Sequence, residues 1–196
     1  TNKNTLTNTD VTVKKIGNNY AANFNGSTSL INTGSDFIGT KAVTVCGWFN
    51  LSRYRGNNLP RIIGNGLIEG STNAFQIYLY GMLPGVLYVR NSIVASIALT
   101  SPIVKTNNFT FFGVTRKTDG KVSIFIGDID NAPSLQGGAD QNASTPVEGV
   151  TNVIVGNNAD DTRSVEGEIP MIKVYEGILD IEQITQIWSD TKRLVE

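Results

Sequence analysis

The chain has 196 residues, of which 40% are hydrophobic and 17% are charged, and its formal net charge is −1. A chain of this size and composition can bury the core of one domain, and it offers no basic surface for nucleic acid or for an anionic membrane. It contains no histidine and one cysteine, which excludes a histidine base, histidine-ligated zinc and an internal disulfide. No apolar run approaches the roughly 20 residues of a bilayer-spanning helix, so no membrane insertion is expected, and no signal peptide is visible.

Short β-type runs, broken by Gly, Asn, Asp and Pro, follow a polar segment at residues 1–10 that we expect to be an arm or a linker. The run at 42–51 carries apolar residues on both faces, as does a central strand that is covered on two sides. Two alternating runs within 109–127 flank Asp119-Gly120, a pair typical of hairpin turns. Further strands are predicted at 11–16, 20–26, 61–66, 74–81, 85–91, 92–99, 151–158 and 167–175.

One helix is predicted near the end of the sequence. Asp180 is a suitable N-cap, and Gln183 three residues later completes a capping box. The apolar residues that follow at helical spacing are Ile181, Ile184, Ile187 and Trp188. Many short strands with one helix predict a single all-β domain over 11–196, a two-sheet antiparallel β-sandwich or jelly roll.

Five segments carry a resemblance to a known family. They are YAANFNGSTSLINTG (20–34), KAVTVCGWFNL (41–51), NNFTFFGVTRKTDGKVSIFIGD (107–128), NVIVGNN (152–158) and GEIPMIKVYEGILDIEQITQIW (167–188). In this order they resemble laminin-G-like domains of the concanavalin A-like jelly-roll superfamily, with Phe109 where the family usually has tryptophan. The resemblance implies a concanavalin A-like jelly roll with a short C-terminal helix. It also implies an extracellular, cell-surface or virion location.

Glu166 and Glu168 stand two positions apart, and therefore lie on one face if their segment is a strand. Paired carboxylates are the catalytic groups of most glycoside hydrolases. Hydrolases of the superfamily that the chain resembles carry Glu-x-Asp-x-x-Glu, but 166–171 lacks the aspartate and the last glutamate. Pro170 interrupts the ladder, and the apolar parity changes across it, which predicts a β-bulge. We therefore expect no enzyme, and a glycoside hydrolase is a remote alternative.

Oxygen-bearing side chains are concentrated in the loop at 156–167. Asn157, Asp160 and Asp161 are of the type that calcium binds, and Asn25 is a candidate ligand from another loop. Some members of the resembled superfamily bind calcium at the rim of the sandwich. The sequence therefore gives a candidate calcium site, with a solvated turn as the alternative, because Asn and Asp favour turns in any case.

Three tyrosines alternate with apolar residues on two predicted neighbouring strands, and a polar loop follows the strand at 42–51. A pyranose ring has an apolar face and a rim of hydroxyls, so aromatic rings beside planar polar side chains suit it. Ordinary sheet packing is the alternative for the tyrosines. The candidate ligand-binding residues are Tyr78, Tyr80, Tyr88, Arg53, Tyr54 and Asn57.

These observations predict a non-catalytic recognition module that binds a glycan or a surface protein. The alternative is a structural or assembly module, such as a phage or bacterial surface decoration, a fibre or a surface-layer piece. Such a module acts through protein contacts and can form a homo-oligomer, and the Asn/Thr-rich start and tyrosine-rich strands would suit it.

Overall fold

The computed structural model describes residues 5–53, 59–66, 75–80, 86–90, 96–98, 104–142, 144–159 and 162–196. Of Tyr80, residues 96–98 and Asn142 it describes the backbone alone. The strands are β1 (Thr7–Thr9), β2 (Thr12–Ile16), β3 (Asn19–Asn25), β4 (Leu30–Asn32), β5 (Val43–Leu51), β6 (Arg61–Gly64), β7 (Gln76–Tyr80), β8 (Val86–Arg90), β9 (Ser96–Ala98), β10 (Phe109–Arg116), β11 (Lys121–Asp128), β12 (Ser134–Asn142), β13 (Ile154–Val155) and β14 (Glu166–Glu176). Helix α1 (Ile181–Thr191) follows, and a 3-10 turn spans Lys192–Leu194.

The strands form two antiparallel sheets that face each other. The front sheet has the order β1-β4-β13-β6-β7-β8-β9, and the back sheet has the order β12-β11-β10-β5-β14-β3-β2. The predicted all-β, two-sheet jelly roll with a short C-terminal helix is therefore confirmed. Within the described residues, no helix is long and apolar enough to cross a bilayer.

The main core lies between the two sheets. Val45, Phe49 and Val114 of the back sheet meet Ile77 and Leu87 of the front sheet, and all five side chains are 0% exposed. In each strand, the residues that alternate with these core residues point to the outer face of the sheet, because successive side chains lie on opposite faces of a strand. Burial of this alternating set holds the two sheets face to face.

A second apolar layer covers part of the outer face of the back sheet. Cys46, Trp48 and Phe111 are buried there against Ile184 of α1. Trp48 Nε1 donates to Thr191 Oγ1 at 2.9 Å, which ties the end of the helix to β5. Both faces of β5 are thus covered, as the pattern at 42–51 predicted.

The capping box of α1 is confirmed. Gln183 N donates to Asp180 Oδ1 at 2.8 Å, and Asp180 N donates to Gln183 Oε1 at 3.0 Å. These bonds satisfy N–H groups that a helix start leaves without partners. The helix therefore begins where its apolar face can meet the back sheet.

The polar start of the chain differs in part from the prediction. Thr7–Thr9 pairs antiparallel with Leu30–Asn32, so the interpretation of residues 1–10 as an arm or linker is wrong for this segment. Neither β1 nor β4 was predicted, and β12 (Ser134–Asn142) was also missed. Short or edge strands pair through their backbones and need little apolar alternation, which leaves a weak signal in the sequence.

The predicted bulge at Pro170 is confirmed. Glu168 pairs with Asn50 and Met171 pairs with Trp48, so β14 advances three residues where β5 advances two. Residues 168 and 171 would lie on opposite faces of a regular strand. Because of the extra residue, Glu168 and Met171 both lie on the outer face, while Ile169 points into the main core. Along the described part of β3, pairing with β14 runs from Glu166 to Ile169 and stops before the proline.

Candidate functional site

The predicted tyrosines of β7 and β8 lie on the outer face of the front sheet. Tyr78 pairs directly with Tyr88 across the two strands and with Arg61 of β6. The two tyrosine ring centroids are 5.4 Å apart, and Arg61 Cζ lies 4.2 Å from the centroid of Tyr78. Arg90 Cζ lies 5.7 Å from the same ring. Arg61, Tyr78, Tyr88 and Arg90 together form what we call the tyrosine–arginine cluster.

The members of this cluster differ in exposure. Tyr78 and Arg61 are each 1% exposed and Arg90 is 9% exposed, whereas Tyr88 is half-buried. Tyr78 therefore supports the cluster from below, and Tyr88 is the tyrosine that a ligand can reach. Gln76 lies on the same face, paired with Arg90, and its buried Oε1 has no hydrogen-bond partner among the described residues.

Sequence reasoning did not find the two arginines or Gln76. The available signal was a charged or amide residue inside a strand that is otherwise apolar, as in the runs at 61–64 and 86–90. Such a residue is buried with partners far more often than it is left alone in a core. Register across three strands then brings these residues together, and one sequence does not reveal that register.

Other predicted ligand-binding residues lie elsewhere or outside the described residues. Arg53 is exposed and lies two residues after the end of β5, which belongs to the back sheet and not to the front sheet that carries the cluster. Tyr54 and Asn57 lie outside the described residues, as does the side chain of Tyr80.

The two loops that were predicted to share a calcium ion are neighbours at the rim. Gly26 N donates to Val165 O at 2.8 Å, and Asn157 Nδ2 donates to Ser27 O at 3.4 Å. Asp160 and Asp161 lie outside the described residues. Among the residues that are described, no group of three or more His, Cys, Asp or Glu side chains is placed to hold a metal.

The two predicted amide ligands shape their own turns. Asn25 Oδ1 accepts the backbone N–H groups of residues 27, 28 and 29 at 2.8, 3.0 and 3.2 Å. Asn157 Oδ1 accepts the N–H groups of Asn158 and Arg163 at 2.9 and 2.8 Å. These oxygens already bind two or three donors, so the direct role of both residues is to fix loop geometry.

The carboxylate pair of β14 lies on one face, as the alternation predicted, with Glu166 opposite Asn25. Glu168 is 1% exposed, so its carboxylate is buried. One of its oxygens binds Lys14 Nζ, and the other accepts from Asn50 Nδ2 at 2.8 Å. These are the contacts of a carboxylate that joins β2, β5 and β14.

Cys46 is buried under α1. Burial raises the pKa of its thiol to about 12, and the nearby charge of Lys173 opposes this rise. The thiol therefore stays protonated at neutral pH and is a poor nucleophile. Cys46 therefore acts as a small buried apolar residue.

No protein-family model matches the chain, and no curated protein matches it. Several solved structures are similar to the chain. Domain 4 of AbnA, a GH43 extracellular arabinanase from Geobacillus stearothermophilus in complex with arabinotriose, is 16% identical, with a TM-score of 0.67, over 93% of this chain and 86% of that one. The CBM40 of the Ruminococcus gnavus IT-sialidase, bound to α2,3-sialyllactose, is 14% identical, with a TM-score of 0.57, over 75% of this chain and 82% of that one.

An enzyme also shares the fold. The enzymatically active domain of tailspike protein 2 from bacteriophage CBA120 is 10% identical, with a TM-score of 0.64, over 99% of this chain and 31% of that one. At such identities the likeness shows the fold alone. The chain is a β-sandwich jelly-roll domain, and its membership of the concanavalin A-like superfamily and of the laminin-G-like family stays a prediction.

Proposed function

We propose that this protein is a non-catalytic module that recognises carbohydrate on an extracellular, cell or virion surface. The tyrosine–arginine cluster carries the proposal. Tyr88 offers a half-buried ring to the apolar face of a sugar and packs against the ring of Tyr78. The guanidinium groups of Arg61 and Arg90 in turn lie over the ring of Tyr78. The unpartnered oxygen of Gln76 beside them is an acceptor for a ligand hydroxyl.

Two of the similar structures support this class of ligand, since one was solved with arabinotriose and another with sialyllactose. The tailspike domain is enzymatic, so the fold by itself does not decide between binding and catalysis. The argument against catalysis here is local, because Glu168 is enclosed by Lys14 and Asn50.

A matched pair of tyrosine substitutions tests the proposal. Tyr88→Ala removes the half-buried ring of the cluster, whereas Tyr20→Ala removes a 67% exposed ring from β3 of the back sheet. Glycan-array screening followed by calorimetry should show binding by the natural protein, a loss of about tenfold, or about 1.4 kcal/mol, in Tyr88→Ala, and no loss in Tyr20→Ala. Equal losses, or no glycan bound at millimolar concentration, would contradict it.

The proposal includes a calcium ion in the loop that carries Asp160 and Asp161. Asn25 and Asn157 would act on it indirectly, because their oxygens already accept backbone N–H groups of their own turns. An ion at this rim would stiffen the loops and supply a charge for ligand hydroxyls.

A second candidate, an assembly module, is favoured by apolar side chains at the surface. Val13 is 74% exposed, and Leu6 and Tyr20 are each 67% exposed. If these side chains mediate self-association, light scattering should show a mass that rises with concentration, and Val13→Asp should abolish the rise. Val150→Asp, at a 50% exposed loop residue, is the matched control. A constant monomer mass would exclude the homo-oligomer.

A further inference from the structure

One row of side chains crosses five strands on the outer face of the back sheet, beside the area that α1 covers. Phe109 pairs with Asn50, Asn50 with Glu168, Glu168 with Asn23, and Asn23 with Thr12. Directly paired residues of antiparallel strands point to the same face. We call these five residues the polar row.

The row begins where the apolar layer under α1 ends. Trp48 lies two residues before Asn50 on the same face of β5 and is fully buried against the helix. On β14 the bulge at Pro170 keeps Glu168 on this outer face, opposite Asn50. β5 and β14 therefore change from apolar to polar along this face, and the row lies beside the second apolar layer, against which Phe109 packs.

The hydrogen bonds inside the row leave one buried acceptor unused. Asn50 Nδ2 donates to Glu168, and Asn23 Nδ2 donates to Thr12 Oγ1 at 3.0 Å. Asn50 Oδ1 is buried, and within the described part of the chain it has no hydrogen-bond partner. An unsatisfied buried acceptor is costly, and a donor from an ordered water or from a ligand would satisfy it.

The other end of the row opens into a depression. Phe109 is half-buried and lines a cavity of about 520 Å³ whose polar wall includes Lys105, Asn108, Asp130 and Asn131. An aromatic ring among amide, ammonium and carboxylate groups suits a ligand with apolar ring faces and many hydroxyls. Lys14, which forms the ion pair with Glu168, has a side chain that is 55% exposed.

We infer that the polar row and the depression beside Phe109 form a second groove, which binds an oligosaccharide on the face opposite the tyrosine–arginine cluster. Asn50 Oδ1 accepts a ligand hydroxyl, Phe109 contacts a sugar ring, and Glu168 positions the amide of Asn50. The inference rests on the proposed function for the chemical class of the ligand only. The groove and the tyrosine–arginine cluster use different residues on different sheets, so an experiment can contradict either site without contradicting the other.

Nitrogen-15 NMR titration with arabinotriose, xylotetraose and cellotetraose tests the groove. The side-chain amide signals of Asn50 and Asn23, assigned from the Asn50→Ala and Asn23→Ala spectra, should shift saturably with at least one probe. Asn50→Ala and Phe109→Leu should each weaken this binding about tenfold. Asn18→Ala, at an exposed residue of the β2–β3 turn, should leave it unchanged.

Phe109→Leu retains an apolar side chain, and its backbone spectrum reports whether the sheet is intact. Tyr88→Ala separates the two sites. Binding lost in Tyr88→Ala but retained in both row variants overturns the groove and leaves the proposed function standing. Binding lost in the row variants and retained in Tyr88→Ala supports the groove and overturns the cluster as the site. No saturable shift with any probe at millimolar concentration overturns the groove.

Discussion

Gly156 occupies a position at which the main chain and a core side chain nearly touch. It follows β13 with a φ of +80°, and a Cβ added there would lie 1.9 Å from Cε1 of Phe24. Phe24 is 2% exposed and belongs to the main core. Glycine is therefore required here for two reasons: no Cβ would fit beside Phe24, and the positive φ disfavours other residues.

A second glycine separates these two requirements. Gly138 has a φ of +99°, but a Cβ there would meet nothing within 4 Å. Gly138→Ala should cost about 1 to 2 kcal/mol of unfolding free energy from backbone strain alone. Gly156→Ala should cost about 2 to 5 kcal/mol, because displacement of Phe24 is added to that strain. Urea unfolding of both variants measures the difference, and equal losses would contradict the steric argument.

Single residues also show what the sequence can and cannot predict. The capping role of Asp180 is local, because both of its partners lie within three residues, and it was predicted. Asn25 stays a predicted metal ligand, and its contacts within the turn that follows it were not predicted. The partner of Glu168 is Lys14, 154 positions away, and no local pattern reveals such a contact.

At the scale of elements, α1 depends on its first turn. Asp180→Ala removes the side-chain acceptor of the capping box, and we expect a loss of about 1 kcal/mol in unfolding free energy. Asp190→Asn is the control, because Asp190 is an exposed acid in the last turn, where the helix dipole does not favour it. Thermal melts of both variants compare the two ends, and a larger loss in Asp190→Asn would contradict the role of the cap.

The strands that are most buried were the easiest to predict from the sequence. Val43–Leu51 is buried on both faces, and its apolar residues mark it clearly. Ser134–Asn142 is an edge strand rich in Gly and polar residues, and pairing with β11 alone defines it. An edge strand buries too little apolar surface to leave a periodic signal.

For the whole molecule, an ion at the rim would act on global stability. With millimolar calcium the midpoint of thermal unfolding should rise relative to EDTA, because a ligand of the native state contributes about 2.7 kcal/mol at a hundredfold excess over its Kd. Magnesium should have a smaller effect, since it demands a stricter octahedral geometry. An Asp160→Asn/Asp161→Asn variant should lose the calcium response, and an unchanged midpoint in the natural protein would contradict the calcium site.

The two outer faces of the sandwich are also a property of the whole chain. The tyrosine–arginine cluster joins β6, β7 and β8, and the polar row joins five strands that come from both ends of the sequence. Both surfaces are formed only when the strands pair into sheets. Local sequence patterns therefore predicted some residues of each surface, but they could not predict which residues lie together.

The bulge at Pro170 makes the spacing of β14 sensitive to chain length. Ladder pairing spans both sides of the bulge, so deletion of one residue there would force half of the strand to turn over. Either the glutamates would enter the core, or Ile172 and Val174 would face solvent. We expect this segment to tolerate substitutions far better than single-residue insertions or deletions, unlike the loops that join the strands.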